Sequence, residues 1–155
     1  MIGKILIGRV EKIAFPDLGG NILHARIDTG AKTSSIWASE TEEVDAGLRV
    51  RFMAPGHDVY EDEIIFPHYD RVCISSSMGH KQLRYRIKMP IVMQKRRIMA
   101  TFTLADRSSQ TYPVLIGRST LHGKFIVDVQ LGSPLVEAEK RRLKELQAHI
   151  KEEHI

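Results

Sequence analysis

The sequence predicts an all-β body followed by one helix at the C-terminal end. Short runs rich in β-branched residues, separated by Gly, Pro, Asn and Asp, recur from residue 3 to about residue 130. From residue 135 to 153 the composition changes to Glu, Lys, Arg, Leu and Ala, which favour a helix. A length of 155 residues suits one domain with one core. We therefore expect a β domain over residues 1–132 and a helical extension over residues 133–155.

The individual strands follow from local patterns. Apolar and β-branched runs predict early strands at residues 4–10, 22–28, 48–53 and 64–66. Residues 82–89 alternate polar and apolar side chains, which is the period of a half-buried antiparallel strand. A further strand at residues 97–104 is expected to pair with the segment after it in the chain. A buried strand near residue 114 should end at Gly117.

The helical extension has a start signal and an apolar stripe. Ser133 supplies an N-cap and Pro134 suits the first helical position. Leu143, Leu146 and Ile150 recur at spacings of three and four residues. This stripe is expected to dock on the body or on another chain.

A cluster of Ser and Gly at residues 75–80 predicts the tip of a hairpin between two strands. Just before it, Cys73 lies in an apolar stretch and is expected to be a small buried side chain. Because the chain has one cysteine, no disulfide can form within it, which agrees with a reducing compartment.

The charge balance suggests an acidic partner. Lys and Arg number 23 against 19 Asp and Glu, giving a net charge of +4 and a pI near 9.3. Residues 81–97 contain Lys and Arg but no Asp or Glu. The aromatic content of 6% argues against single-stranded nucleic acid, whose bases stack on aromatic rings. No apolar run approaches the roughly 20 residues that span a bilayer, and no signal peptide is evident, so we expect a cytoplasmic protein without membrane contact.

The most informative short motif is Asp28-Thr29-Gly30, which comes after a predicted strand. A carboxylate at a strand end can point into a cleft, and the Thr hydroxyl can brace the turn. Gly lets a substrate backbone approach closely. By itself the motif is weak, because an ordinary strand-to-turn exit explains such a string more often than catalysis does.

A second sequence block supports a functional interpretation of this motif. An apolar strand reaches Gly117-Arg118 far along the chain, and the two blocks together resemble a retropepsin. More closely, the chain resembles the bacterial retropepsin-like family often labelled RimK-associated or "ATP-dependent zinc protease". This resemblance rests on residues 26–34, 79–85, 115–118 and 123–128.

The resemblance implies a fold and a mechanism. The fold would be the single-lobe acid protease fold, a retropepsin-like closed β-barrel, with residues 76–84 as a flap hairpin whose tip lies near Gly79. Aspartic proteolysis needs two carboxylates about 3 Å apart that share one proton. One Asp-Thr-Gly supplies only one of them, so an active enzyme should be a homodimer with Asp28 of each subunit at the two-fold axis.

The resemblance also implies residue roles and a substrate. Asp28, Thr29 and Gly30 would form the catalytic loop. A basic cleft would bind an acidic peptide substrate, such as an oligoglutamate tail added by a RimK-type ligase. Its residues would be Ala31, Lys32, Gly79, His80, Lys81, Arg84 and Arg118.

Two departures from the family pattern matter, namely the residue at position 32 and the helix after Ser133, which extends beyond the part that matches. Viral retropepsins have an acidic residue where this chain has Lys32, so Arg118 must find another partner. The zinc and ATP of the family label find no sequence support. His149 and His154 are five apart, and residues 117–125 lack the P-loop spacing. We expect no metal and no cofactor.

Three functions remain open at this stage. The first is a peptidase acting on acidic or glutamate-rich peptides. The second is a general cytoplasmic aspartic endopeptidase. The third is a basic module without catalytic activity that binds acidic tails or RNA.

Overall fold

The structure is a computed structural model that describes residues 3–60, 63–75, 78–137, 141, 144 and 145. Within these residues the chain is mostly β-strand, as expected. The strands are β1 (Ile5–Ile7), β2 (Val10–Phe15), β3 (Asn21–Ile27), β4 (Ser34–Val44), β5 (Gly47–Phe52), β6 (Ile64–Phe66), β7 (Asp70–Ser75), β8 (Lys81–Met93), β9 (Arg96–Ala105), β10 (Val114–Ile116) and β11 (Phe125–Val127). A 3-10 turn covers Pro16–Leu18, and a short helix, α1, covers Arg118–Leu121.

Six strands form a barrel-like ring, in agreement with the retropepsin-like fold that the sequence predicts. The order is β10, β3, β2, β8, β9, β4, and β10 then pairs with β4 to close the ring. β10 runs parallel to β3 and antiparallel to β4. Because closure leaves no free edge, the backbone groups of the ring satisfy one another.

The core fills the inside of this ring. Fully buried side chains come from opposite walls, and the rings of Phe15 in β2 and Phe102 in β9 lie 5.9 Å apart. Ile36 and Met89 are also fully buried. Burial of each such side chain contributes about 1.5–3 kcal/mol, so the ring is held by packing as well as by its hydrogen bonds.

Strand β4 was not predicted from the sequence, although it is central to the ring. Its first residues, Ser34 to Trp37, run parallel to β9 inside the barrel wall. Its second half leaves the ring and pairs with β5, after an irregularity between Ala38 and Glu40. Hydroxyl and acidic side chains hide the strand pattern, because the outer half of β4 is exposed.

The β7–β8 hairpin is the flap that the sequence predicts. Residues 81–85 of β8 pair with β7, and only from Arg86 does β8 also pair with β9. Cys73 lies on this projecting part and is exposed, so the expectation of a buried cysteine is wrong. The apolar alternation of β7 does not reach the core because the hairpin extends beyond the ring. Ser76 and Ser77 lie outside the described residues.

Two strand predictions need correction. The strand predicted at residues 97–104 does not pair with the segment after it but turns back onto β8, through Gln94 and Lys95 with φ of 51° and 64°. Two successive residues of positive φ are typical of a tight hairpin turn. The strand predicted at residues 4–10 is broken after Ile7. A Cβ at Gly8 would lie 2.0 Å from the carbonyl carbon of Leu131, so only Gly allows this crossing.

The predicted C-terminal helix lies mostly outside the described residues. Residues 133–135 are not helical, so the prediction that the helix begins with Ser133 as N-cap and Pro134 as first helical residue is wrong, whereas residues 136, 137, 141, 144 and 145 are helical. Leu143, Leu146 and Ile150 lie outside, so the apolar stripe and the domain boundary at residue 133 stay predictions. In the described part of the chain, no helix is long and apolar enough to cross a membrane.

Candidate active site

Asp28 lies at the carboxyl end of β3, where the strand leaves the ring. Its backbone N–H donates to the Ile116 carbonyl at 2.9 Å, which ties the loop to the end of β10. Its own Oδ1 accepts a hydrogen bond from the Gly30 N–H at 2.9 Å. Asp28 is half-buried, while Thr29 and Gly30 are exposed. The carboxylate is therefore oriented by its own loop and still open to a reactant.

Gly117 fixes the loop from the other side. A Cβ at this position would lie 2.7 Å from the Thr33 carbonyl carbon and 2.9 Å from the Ala31 oxygen. Only Gly therefore lets the end of β10 touch the segment after Asp28. The next two backbone N–H groups, of Arg118 and Ser119, donate to the carbonyls of Ala31 and Lys32 at 2.8 and 2.9 Å.

The structure shows the hydrogen-bond acceptors of Arg118, which the sequence did not identify. Its Nη1 donates to the carbonyl oxygens of Thr29 at 3.2 Å and Gly30 at 2.9 Å. The positive side chain thus braces the backbone of the Asp-Thr-Gly loop directly, without an acidic residue between them. The side chain of Lys32 is exposed beside this loop.

A buried hydroxyl pair supports the same corner. Ser34 Oγ accepts a hydrogen bond from the Gly117 N–H at 3.0 Å and lies 2.7 Å from Thr120 Oγ1. Because Ser34 Oγ accepts from the backbone, its own proton is available for Thr120. The pair joins β4 to α1 beneath the loop. Sequence analysis included Ser34 among the residues that carry the family resemblance but assigned it no role.

The predicted flap residues divide into two groups. Gly79, with φ of 83°, takes the left-handed conformation that favours Gly at the tip, and His80 and Lys81 are exposed beside it. Arg84 lies deeper along β8 and is half-buried, and this burial lowers its pKa. Arg84 interacts electrostatically with Arg107, which in turn interacts with Asp28.

Two further arginines near Asp28 were not among the predicted site residues. Burial and the positive charges of Arg84 and Arg26 lower the pKa of Arg107, while the Asp28 carboxylate acts to raise it. Arg107 is therefore within electrostatic range of Arg26, Arg84 and Asp28. Arg26 could have been found from its position two residues before Asp28. No local signal marks Arg107, because it lies in a loop after β9.

Metal ligation is not evident around this site. In the described ranges, no three side chains of His, Cys, Asp or Glu lie close enough together to hold a metal ion. The chemistry that the arrangement can support is that of a single oriented carboxylate among positive charges.

Comparison with known families supports the fold. The model of the RimB-like family, described as retropepsin-like aspartic endopeptidase RimB, matches residues 6–133. The chain belongs to this family. The matched range contains the Asp28 loop, the flap and the Gly117 corner.

Individual relatives of this RimB-like chain carry a different name. A probable alpha-L-glutamate ligase of Desulfotalea psychrophila is 32% identical over 157 residues, covering 98% of this chain and 33% of the relative. A protein of the same name from Shewanella pealeana is 32% identical over 130 residues, covering 81% of this chain and 28% of the relative. The chain thus spans about a third of the length of these curated relatives.

One solved structure shares the architecture. A crystal structure of a Legionella pneumophila protein of unknown function has a TM-score of 0.62 and 25% sequence identity. The alignment covers 83% of this chain and 95% of that one. The likeness supports the fold over the RimB-like region and adds no information on activity.

Proposed function

We propose that this protein is an aspartic endopeptidase that hydrolyses acidic, glutamate-rich peptide segments. The observation that carries the proposal is the Asp28 loop, in which a half-buried carboxylate is oriented by the Gly30 N–H and braced by Arg118. Membership of a retropepsin-like endopeptidase family supports hydrolysis as the reaction.

The mechanism needs two copies of Asp28. Two carboxylates at about 3 Å cannot both ionise, so they share one proton at working pH. The ionised carboxylate takes a proton from water, which attacks the peptide carbonyl carbon. The protonated partner donates its proton to the carbonyl oxygen. Collapse of the tetrahedral intermediate breaks the C–N bond, and the amine leaves with a proton from the dyad.

A homodimer would bring the two loops together, and the chain has an apolar surface suited to it. β1 and β11 form a separate two-stranded sheet in which Leu6 is the register partner of Ile126. These two side chains are 53% and 54% exposed. The segment that follows β1 is bonded to the residue before Asp28, because the Ile27 N–H donates to the Arg9 carbonyl at 2.9 Å.

The substrate class rests on charge and on the relatives. Arg118 is bonded to the Asp28 loop and Arg107 interacts electrostatically with Asp28, so an acidic peptide would complement these charges. The relatives named probable alpha-L-glutamate ligase contain a region like this chain within a protein about three times as long. A peptidase that removes what such a ligase adds would act on oligoglutamate tails, and we adopt this as the expected substrate.

Substitution of Asp28 by Asn tests the proposal. The amide that replaces the carboxyl group cannot carry the dyad's charge or proton, so we expect hydrolysis of a glutamate-rich peptide to disappear while the peptide still binds. The matched control is Asp45→Asn, the same chemical change at an exposed turn between β4 and β5, which should leave turnover unchanged. Normal turnover by Asp28→Asn would refute the peptidase.

Two outcomes would favour the alternatives. Equal cleavage of neutral and acidic peptides by the unmodified protein would indicate a general aspartic endopeptidase. Binding of acidic tails or RNA without hydrolysis under any condition, by a protein whose Asp28→Asn variant behaves identically, would indicate a binding module.

A further inference from the structure

Arg107 interacts electrostatically with Asp28 and with two other arginines carried by separate elements, and we call the three the arginine cluster: Arg26, Arg84 and Arg107. Arg26 is in β3, Arg84 is on the flap strand β8, and Arg107 comes after β9. Strand side chains alternate in direction, so Arg26 shares the outward face of β3 with Asp28, while Ala25 and Ile27 point into the core.

The cluster is held in place rather than extended into solvent. Arg107 is half-buried, and its Nε donates to the Tyr112 carbonyl at 3.1 Å. Its loop is closed by a hydrogen bond from the Gln110 N–H to the Arg107 carbonyl at 2.9 Å. Arg84 Nε donates to Gln82 Oε1 at 3.0 Å. Each of these side-chain bonds uses the Nε of its guanidinium, so the terminal nitrogens of both arginines remain for a ligand.

The cluster lacks the internal partners that other arginines have. Away from Asp28, arginines of the sheet form ion pairs with Glu or Asp of neighbouring strands, namely Arg49, Arg51, Arg71 and Arg86. Among the described residues, no carboxylate lies within 4.0 Å of the guanidinium nitrogens of Arg26, Arg84 or Arg107. Within the described part of the chain, these three positive charges therefore have no carboxylate at ion-pair distance.

Such an arrangement is unfavourable without an anion. Like charges repel, and burial of Arg107 removes part of its hydration, which is why the pKa of Arg107 is lowered. An incoming carboxylate would relieve both costs, and the planar guanidinium binds carboxylates in a bidentate manner. The location next to Asp28 places that carboxylate close to the scissile bond.

We propose that Arg26, Arg84 and Arg107 form the subsite that binds a glutamate side chain of the peptide next to the bond that is cut. The inference rests on the proposed function and adds the residues that give it specificity. Arg84 belongs to the flap, so closing the flap over a peptide would complete the subsite from above. Arg26 and Arg107 would contact the same carboxylate from the barrel.

The test compares two peptides of equal length, one with glutamate and one with glutamine at the same positions. We expect Arg107→Gln and Arg26→Gln each to lower kcat/KM for the glutamate peptide about tenfold, mainly through KM. Cleavage of the glutamine peptide should stay within about twofold, because it makes no charged contact. Arg107→Lys keeps the positive charge but lacks the planar guanidinium that binds a carboxylate through two nitrogens. It should give an intermediate loss of kcat/KM for the glutamate peptide.

Arg97→Gln is the matched control. Arg97 is exposed, and its substitution removes the same charge, but it is the register partner of Val92 in β8. That position is eight residues along β8 from Arg84, or about 26 Å at about 3.3 Å per residue. Both peptides should be cut normally by this variant. Arg26→Gln changes an exposed side chain, so this variant should fold. It therefore still tests the inference if Arg107→Gln does not fold.

The outcomes separate this inference from the proposed function. If Arg107→Gln and Arg26→Gln lower kcat for both peptides equally, the cluster acts on the Asp28 loop, and the subsite is wrong while the peptidase stands. If Asp28→Asn retains turnover, the peptidase itself is wrong. Binding to the Asp28→Asn variant gives a second readout, in which Arg107→Gln should weaken the glutamate peptide about tenfold. Tighter binding of an RNA oligonucleotide that depends on Arg107 would overturn the inference in favour of a nucleic-acid site.

Discussion

Arg118 and Ser34 hold the catalytic loop by different means. Arg118 donates to two successive carbonyl oxygens of the loop from the exposed side. Ser34 works from the buried side, where its hydroxyl satisfies the Gly117 N–H that would otherwise have no partner. A loop held from both faces keeps the Asp28 carboxylate oriented before any substrate arrives, which lowers the cost of reaching the reactive geometry.

Ser34→Ala is the sharpest residue-scale prediction. The substitution leaves the buried Gly117 N–H unsatisfied and should destabilise the protein by about 1–3 kcal/mol. The neighbouring Ser35 is the matched control, because it is also buried but its Oγ has no hydrogen-bond partner. Ser35→Ala should therefore be neutral or stabilising. The free energies of unfolding of both variants are measured by denaturant titration. Equal destabilisation would contradict the role given to Ser34.

Individual residues differ in how far the sequence could predict them. The Asp28 loop and Gly117 were found because each lies in a short contiguous motif whose chemistry is local. Arg107 could not be found, because it reaches Asp28 only through closure of the ring between β9 and β10. Cys73 was misjudged because an apolar stretch in a flap has the same local pattern as one in a core strand.

At the scale of elements, the flap is tied to the rest of the molecule at its base. Tyr69 donates its hydroxyl to Glu43 Oε1 at 2.7 Å, and Arg71 forms an ion pair with the same carboxylate. One strand further, Arg86 forms a two-point contact with Asp70, at 2.9 and 2.6 Å. These contacts join β7 to β4 and to β8 where the hairpin leaves the ring, so the outer flap can move while its base stays fixed.

The flap base should loosen in acid. Hydrogen bonds from Tyr69 and Arg71 lower the pKa of Glu43, and those from Arg86 lower the pKa of Asp70. A carboxyl group whose pKa is lower in the folded protein than in the unfolded chain stabilises the fold when it is ionised. That stabilisation is complete above the pKa of the unfolded chain and is lost as the pH falls through the pKa of the folded protein. We therefore expect amide exchange in β7, normalised to intrinsic rates, to increase below about pH 4, where ordinary carboxyl groups become protonated.

Glu43→Gln should reproduce this loosening at neutral pH. Without the charge, β7 loses its ion pair with β4, so its amides should exchange faster at pH 7 and respond less to acid. Glu42→Gln is the control, since Glu42 pairs with Arg49 of β5 and not with the flap. If exchange in β7 is the same in both variants, the anchoring role of Glu43 is incorrect.

The sequence predicted elements correctly where the signal lay in neighbouring residues. It failed where the element depends on pairing with a strand that is distant in the chain. The flap and the strand before Gly117 were identified from turn residues and apolar runs. The partner of β9 was assigned wrongly, because the turn at Gln94 and Lys95 lacks the usual Gly or Asn. β4 was missed because its two halves belong to different environments, one in the ring and one exposed in a hairpin.

At the scale of the whole molecule, the proposed activity requires a second subunit. The β1–β11 sheet offers Leu6 and Ile126 side by side and exposed. Pairing this surface with its symmetry mate would bury apolar side chains and bring the two Asp28 loops to a common axis.

Leu6→Asp should yield a monomer without activity, because an unpaired charge would be buried in the proposed dimer contact. Ile22→Asp is the control: Ile22 is 62% exposed and lies near the start of β3, at the opposite end of that strand from Asp28. Light scattering coupled to size exclusion measures both masses. A dimer of unchanged mass and activity in Leu6→Asp would exclude this surface as the interface.

The most direct test of the shared dyad is a subunit-mixing experiment. Wild-type and Asp28→Asn chains are co-expressed with different tags in known proportions, and hydrolysis of a glutamate-rich peptide is measured per total protein. If each active site needs Asp28 from both subunits, activity falls as the square of the wild-type fraction, to about one quarter in an equal mixture. Activity that falls linearly, to about one half, would show that each chain acts by itself and would contradict the account.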